Sequence, residues 1–380
     1  MENVDIKFQE LCNWITNNGG FVNPKLQLRD GQYGRTVIAT ERIENEKIFE
    51  IPDNLILNDK TTGLNFPDIG TRYTTVIALL VEYKKSNSFW KEYLDLLPHF
   101  NEFKNHPVFI YSQGKFPTFS ESIYLKVKNA YDEFLQVYNF FVNFNRENKI
   151  IDSFTYDEFF WAYLCTITRM WTDIGLVPFA DLLQHSNESN MVLDRSEGKT
   201  FMTSEVIEMG QEVYDNYSVD DISLFTIFGF VDRSPFTSVP INFKFEDKEG
   251  ILKTIVEDFN SKISPKSLVI SSRGINEVLM SYIRINMLTI DQLKNIDFNL
   301  NMDSREMISL ENELLSLKKV KLRSNHLLLD QELEFVKNNY NSLQLDSIER
   351  NICDLIIKIE SLKIQIHQFI NNYWISILNS

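Results

Sequence analysis

The chain has 380 residues, more than one hydrophobic core usually organises, and at about 150 residues per domain it predicts two or three domains. Its 43% apolar, 13% aromatic and 24% charged residues are those of an ordinary folded protein and exclude collagen-like and disordered classes. A formal charge of −15 argues against sequence-independent binding to phosphate backbones, so no direct nucleic-acid binding is expected and a basic peptide or protein partner suits it better.

The first residues, Met1 to Asp5, carry acidic charge and no apolar region, unlike a secretory signal or an Arg-rich transit peptide. A cytoplasmic or nuclear address is the expectation. Two β-type runs follow, Arg35 to Thr40 and Lys47 to Ile51. The apolar run Thr75 to Val81 is far shorter than the ~20 residues of a membrane-spanning helix, so no membrane partner is expected. Thr155-Tyr156-Asp157-Glu158 is a capping box, in which the Thr hydroxyl and the Glu side chain satisfy amides left unpaired at a helix start. The helix it opens presents Phe159, Tyr163, Ile167 and Met170 on one face and ends near Arg169 to Trp171, ahead of Gly175 and Pro178. Arg169 therefore falls in the last turn, where a cation also suits the negative end of the helix dipole.

A third β-type run spans Thr200 to Thr203, and after about residue 250 the pattern is almost entirely helical. Glu277 to Ile285 and Met307 to Val320 are helical runs. The most regular stretch is a long helix in which Ile348, Ile352, Leu355, Ile359, Leu362, Ile366, Phe369 and Tyr373 alternate spacings of four and three. Such a stripe suits either a coiled-coil seam or the inner face of a packed helix. Ile356, Ile357 and Ile364 widen it beyond a seam and favour packing within an α-helical C-terminal domain.

Cys12, Cys165 and Cys353 lie far apart and form no C-x-x-C pair, so neither a disulfide framework nor a metal site is expected. Asp181, His185 and Ser186 are residue types of a hydrolase triad, but no G-x-S-x-G elbow accompanies them. Asn187-Glu188-Ser189 fits the glycosylation pattern only formally. On residue type alone, His185 is a hydrogen-bonded core histidine and Tyr217 an ordinary sheet tyrosine.

The informative segment is Val177 to Ser186, V-P-F-A-D-L-L-Q-H-S, followed by Gly210 to Tyr217, G-Q-E-V-Y-D-N-Y, and Phe228-Gly229-Phe230-Val231. Together these resemble the SET-domain methyltransferases, in the branch of the Rubisco large-subunit lysine methyltransferase, with its V-P-x-A-D-x-x-N-H-S, G-E-E-x-x-x-x-Y-G and Y-G-F-V patterns. Leu11 to Trp14, Gly34 to Ala39, Trp90 to Pro98, and Trp161-Ala162 with Thr168-Arg169 resemble that branch's opening helix, G-x-G-L-x-A hairpin, W-x-x-Y-x-x-x-L-P segment and W-A…[ST]-R helix.

The resemblance implies an α+β fold. Small, mostly antiparallel β-sheets closed by a pseudoknot would form a SET domain over 1–235, with a helical insert at about 60–150 and an all-α substrate-binding domain over 236–380. It implies transfer of a methyl group from S-adenosylmethionine to a lysine of a protein substrate. Gly34 and Arg35 would cradle the methionine end of the cofactor, and Arg169 would approach its carboxylate. Gln184 and His185 would meet its amino group and adenine. Tyr217 would be the catalytic tyrosine between cofactor and amine, also touching the cofactor, while Trp171 and Phe228 would line the substrate channel. No metal is implied. The related actin-histidine methyltransferase branch has an asparagine two residues after the helix arginine, where this chain has the aromatic Trp171, so lysine is favoured over histidine.

Four positions depart from the pattern: Gln184 replaces the N-H-S asparagine, Thr36 the second glycine of G-x-G, Ser218 the Y-G glycine and Phe228 the tyrosine of Y-G-F. Gln184 is one methylene longer than asparagine, and Thr36 brings a Cβ and hydroxyl to a strand that approaches the cofactor closely. Thr36, Gln184 and Ser218 keep a second expectation open, a catalytically silent SET-fold interaction protein, while Phe228 leaves open how many methyl groups are added.

Overall fold

A computed structural model describes residues 2–240, apart from 32–33, 65, 67–68, 172, 188–190, 197–198, 205, 218 and 233–237, and beyond these 269–271, 274–275, 334, 336–337, 348–359 and 361. Two compact units divide the chain. The first comprises Met1–Phe116, Leu125–Tyr217 and Phe225–Phe230, the second Pro117–Tyr124, Ser218–Leu224 and Val231–Ser380.

In the first unit the expected β-type runs are strands. Lys47–Pro52 and Lys199–Ser204 pair antiparallel at the centre of a four-stranded sheet, flanked by Phe21–Val22 and Met191–Ser196. Gly34–Ala39 pairs with Leu26–Gly31 as a hairpin. The remaining sheets are two-residue pairs, among them one parallel pair, Gln184–His185 with Tyr214–Asp215. Residues just before that pair cross to the hairpin, with Val213 N–H donating to Val37 O at 2.9 Å and Ala39 N–H to Gln211 O at 2.9 Å. The stretch 210–217 is thus laced between two sheets that come from opposite ends of the domain.

Helices fill the interval expected as an insert. The apolar run at Thr75 belongs to a helix over Thr71–Lys84, buried from Thr74 to Glu82, and a 28-residue helix spans Glu121–Asn148. The capping box at Thr155 forms as expected and opens a helix over Tyr156–Arg169, with Glu158 N–H donating to Thr155 Oγ1 at 3.1 Å. This helix is buried on every side from Phe159 to Ile167 rather than along one face, because rings pack around it: the Phe134 centroid lies 4.5 Å from Phe160 and 5.3 Å from Tyr163. Each such side chain removed from water contributes roughly 1.5–3 kcal/mol. Met170 is not on this helix; the chain turns extended there and pairs Met170–Trp171 with Gly175–Leu176.

In the second unit, residues 348–359 are helical, and Ile348, Ile352, Leu355, Ile356 and Ile359 are all buried while Ile357 is 42% exposed. The apolar stripe is therefore widened by Ile356 and not by Ile357. Leu362, Ile364, Ile366, Phe369 and Tyr373, and the helical runs Glu277 to Ile285 and Met307 to Val320, lie outside the described residues. The region after residue 236 is not helix alone, since Ser238–Pro240, Val269–Ser271 and Gly274–Ile275 form a three-stranded antiparallel sheet. Among the described residues, no helix is long and apolar enough to cross a membrane.

Candidate active site

The arginine expected at the helix end occupies a polar pocket in an apolar setting. Arg169 Nη1 donates to the backbone carbonyl of Asp181 at 2.8 Å and stands 3.8 Å from the Asp181 carboxylate. That carboxylate is fully buried and accepts the Tyr93 hydroxyl at 2.5 Å. Asp181 reaches this place on a single 3-10 turn, Ala180–Leu182, whose capping residue Phe179 has φ 72°. A phenylalanine there costs about 1–3 kcal/mol of backbone strain. The Phe179 ring, fully buried with centroids 6.1 Å from Phe8 and 5.5 Å from Phe49, holds the turn in place.

Arg35 is the second guanidinium of the pocket. Burial and the neighbouring Arg169 charge lower its pKa, against the pull of Glu102, Asp181 and Asp30. At Arg169 burial also opposes the charge, but Asp181 and weaker neighbours outweigh it and the pKa is raised. The Asp181 carboxyl is raised by burial, with Arg169, Tyr93 and Arg35 favouring its charged form. Arg35 makes no ion pair among the described residues, and Arg169 Nε is buried without a partner there. Arg35 and Arg169 both act electrostatically on the buried Asp181 carboxylate, with Glu102 and Asp30 also acting on Arg35, and the Arg169 guanidinium with its unpartnered Nε is the group placed to meet an anion.

The two departures next to Arg35 are absorbed within the chain. Gln184 Nε2 donates to Arg35 O at 2.7 Å, so the longer side chain ties its strand to the hairpin. Thr36, expected to intrude where the cofactor approaches, is 3% exposed, and its hydroxyl donates to Glu212, which also accepts from Tyr214 Oη at 3.0 Å. Its methyl group lies over Gly31, where a Cβ would stand 2.8 Å from Thr36 Cγ2, so glycine is needed opposite. Gly34 is exposed at the start of this strand.

Tyr217 follows the laced stretch directly. Its hydroxyl donates to Leu183 O at 2.8 Å, and its backbone N–H donates to His185 Nδ1 at 3.2 Å. Burial pushes the phenol above its ordinary range, so the hydroxyl stays protonated. Its ring centroid lies 4.6 Å from Phe228 and 5.1 Å from His185, and His185 lies 6.2 Å from Phe230. Phe228 is carried by a π-helical turn, Leu224–Phe228, a form frequent at functional sites.

Arg35 with Arg169, Gln184 with Arg35, and Tyr217 with His185 and Phe228 are thus brought together. Trp171 is not part of the Tyr217 ring cluster: it is half-buried on its short strand, and its ring neighbour among the described residues is Phe49, 6.3 Å away. The two-residue strand beginning at Met170 turns the ring toward the four-stranded sheet. Ser218 lies outside the described residues. Sequence reasoning missed Tyr93, Glu212 and His106. His106 is buried, its Nδ1 accepts Val108 N–H at 3.3 Å, and its Nε2 meets Ile227 O at 2.9 Å beside Phe228. The Tyr of the W-x-x-Y segment was the available signal for Tyr93 and the second Glu of the G-E-E pattern that for Glu212; no local pattern marks His106.

Residues 34–218 match the model of the SET domain family. Actin-histidine N-methyltransferases of Rhinolophus ferrumequinum and Gallus gallus are 22% identical to it over 325 and 328 residues, covering 76% of this chain and 54% of each relative. The chain spans about half the length of these curated relatives. Among solved structures, the SET domain of LSMT bound to lysine and AdoHcy is similar at a TM-score of 0.52 and 16% identity, covering 97% of this chain and 91% of that one. Rubisco LSMT bound to sinefungin and monomethyllysine is similar at 0.52 and 17%, covering 97% and 92%. The likeness establishes the SET fold, with small antiparallel sheets and substantial helix.

Proposed function

We propose that the chain is a protein N-methyltransferase that uses S-adenosylmethionine and acts on a lysine side chain. The observation that carries this reading is the buried Arg169 guanidinium beside the Asp181 carboxylate, its Nε unpartnered among the described residues, in the same unit as Arg35 and the Tyr217 ring cluster. The donor set fits the methionine end of that cofactor. Arg169, with an unspent Nε, suits its carboxylate, and the Gln184 amide oxygen, without a partner among the described residues, suits its ammonium. His185 and the Gly34–Arg35 backbone complete the cofactor's surroundings in this reading.

When bound, S-adenosylmethionine supplies a methyl group made electrophilic by the attached sulfonium. The chain has to align a neutral amine with that carbon and exclude water. Tyr217, protonated and hydrogen-bonded to Leu183 O, orients and does not act as a base. The rings of Tyr217, Phe228 and Phe230 form apolar walls; such walls desolvate an ammonium, lower its pKa, and hold the methylated cation over their faces. Phe228 stands where the family pattern has tyrosine, so the number of methyl groups added depends on it. Trp171 keeps an aromatic at the position where the histidine branch has asparagine, which supports lysine. The residues after 236 would bind the protein substrate, and a cytoplasmic or nuclear location suits such a partner.

Histidine is the second reading, favoured by the names of the curated relatives. The silent interaction protein loses ground because Thr36 and Gln184 both find partners within the chain. The test is incubation of the full chain with isotopically labelled S-adenosylmethionine and a soluble protein extract, followed by mass-spectrometric localisation of the label. Label on lysine is expected. Label on histidine would replace the acceptor, and no transfer at all would contradict the enzyme.

A further inference from the structure

Tyr93 and Asp181 belong to the W-x-x-Y and V-P-x-A-D segments, and neither has a role in the chemistry described above. The Asp181 carboxylate faces two partners and is bound by only one of them. Its Oδ2 accepts the Tyr93 hydroxyl at 2.5 Å, whereas the same oxygen stops 3.8 Å from Arg169 Nη1. The other oxygen, Oδ1, is buried and without a partner among the described residues, as is Arg169 Nε. Arg169 is instead oriented by a neutral group, the Asp181 backbone carbonyl at 2.8 Å.

A carboxylate free to turn beside an arginine closes onto it, usually with two parallel hydrogen bonds, because charge-assisted bonds are short and strong. Here a phenol makes the charge-assisted bond first. Tyr93 is 1% exposed and sits on the turn Lys91–Leu94, itself tied down by Trp90 Nε1 donating to Leu55 O at 2.8 Å, so its hydroxyl does not follow the carboxylate. We propose that Tyr93 is a positioning residue for Arg169: by holding the Asp181 carboxylate short of a close ion pair, it leaves the guanidinium's charge available to a carboxylate-bearing ligand. This rests on the reading that Arg169 meets the cofactor's carboxylate.

The proposal makes two substitutions act in opposite directions. Tyr93→Phe releases the carboxylate to close on Arg169 and weakens binding of S-adenosylhomocysteine about tenfold. Asp181→Asn keeps the volume and an acceptor for Tyr93 but removes the competing charge, and tightens it severalfold. Neither change touches 5′-methylthioadenosine, which has the same adenosine and no amino-acid carboxylate, by more than about twofold. In an Arg169→Met background Tyr93→Phe has no further effect on S-adenosylhomocysteine.

Calorimetric titration of the full chain and these variants with both ligands, below each variant's melting temperature, reads all four effects. Unchanged S-adenosylhomocysteine affinity in Tyr93→Phe, an equal loss for both ligands, or weaker binding in Asp181→Asn would overturn the proposal while leaving the cofactor site standing. Failure of the unsubstituted chain to bind S-adenosylhomocysteine would overturn the reading beneath it.

Discussion

Thr36, on the strand Gly34–Ala39, and Gln184, on the strand Gln184–His185 that it ties to that hairpin, depart from a family pattern, and each is answered by a specific acceptor. The Thr36 hydroxyl would be a liability in a buried hairpin without Glu212. Glu212→Ala leaves that hydroxyl unpaired and is expected to cost about 1–3 kcal/mol, read as a lower denaturation midpoint. The loss should shrink when Thr36→Val is combined with it, leaving the share of the Tyr214 hydroxyl that Glu212 also accepts, and equal losses in both backgrounds would remove the link. At Phe228, 4.6 Å from Tyr217, Phe228→Tyr restores the family hydroxyl and should shift the distribution of mono-, di- and trimethylated product by mass spectrometry. An unchanged distribution in an active enzyme would show that Phe228 does not line the channel. Arg169 was legible in the sequence because a capping box sets where its helix starts and 14 residues set where it ends. Tyr93 was not, since its partner Asp181 lies 88 positions away and a buried phenol has the same local signature whether or not it meets a carboxylate.

At the scale of elements, His106 joins the helical insert to the turn that carries Phe228. Its ring lies against Gly229, where φ is 84° and a Cβ would stand 3.0 Å from His106 Cδ2, so the glycine of the F-G-F segment answers both to backbone conformation and to this close approach. Burial lowers the imidazole from 6.5 to about 4 despite the Ile227 carbonyl, which favours the charged form. The unfolded chain takes up a proton near pH 6.5 and the folded chain only near 4, so this contribution to stability is whole above pH 6.5 and is lost as pH falls toward 4. Asp215, raised by burial to about 6, partly offsets it, because below that pH the folded state holds a proton that the unfolded state does not. The raised Asp181 carboxyl acts in the same sense as Asp215, so the urea midpoint of the natural chain should fall relative to that of His106→Gln between pH 7.5 and about 5; parallel curves would dissociate the histidine from the pH response. Strands in the SET domain were legible where β-branched residues alternate over five or six positions. The sheet at Ser238, Val269 and Gly274 was not, because strands of two or three residues, one of them ending in proline, carry no period to read.

Across the whole molecule, contacts join parts of the chain that no periodicity connects. Lys358 Nζ lies 2.5 Å from Asp221 Oδ1 and 2.7 Å from Asp232 O, so the late helix holds two segments more than 120 positions earlier in the second unit. With the Asp221 side chain 2% exposed, Lys358→Met removes a charge-assisted bond from a buried carboxylate and is expected to destabilise the chain by about 1–3 kcal/mol, read by thermal or denaturant unfolding. A change below about 1 kcal/mol would mean that the ion pair is dispensable. The fold class was legible only through the resemblance that the motifs at 177–186 and 210–217 carry, because neither composition nor periodicity marks a chain segment laced between two sheets. The resemblance already implied that Arg35 and Arg169 meet at the methionine end of the cofactor, whereas the Tyr93 bond to Asp181 emerged only in three dimensions. The most direct measurement is calorimetric titration of the full chain with S-adenosylmethionine, alongside Arg169→Ala. Saturable binding, weakened about 10- to 100-fold by the substitution, is the predicted result; a well-folded chain that binds nothing, or a variant that binds as well as the natural chain, would contradict the assignment of the two-arginine pocket as the cofactor site.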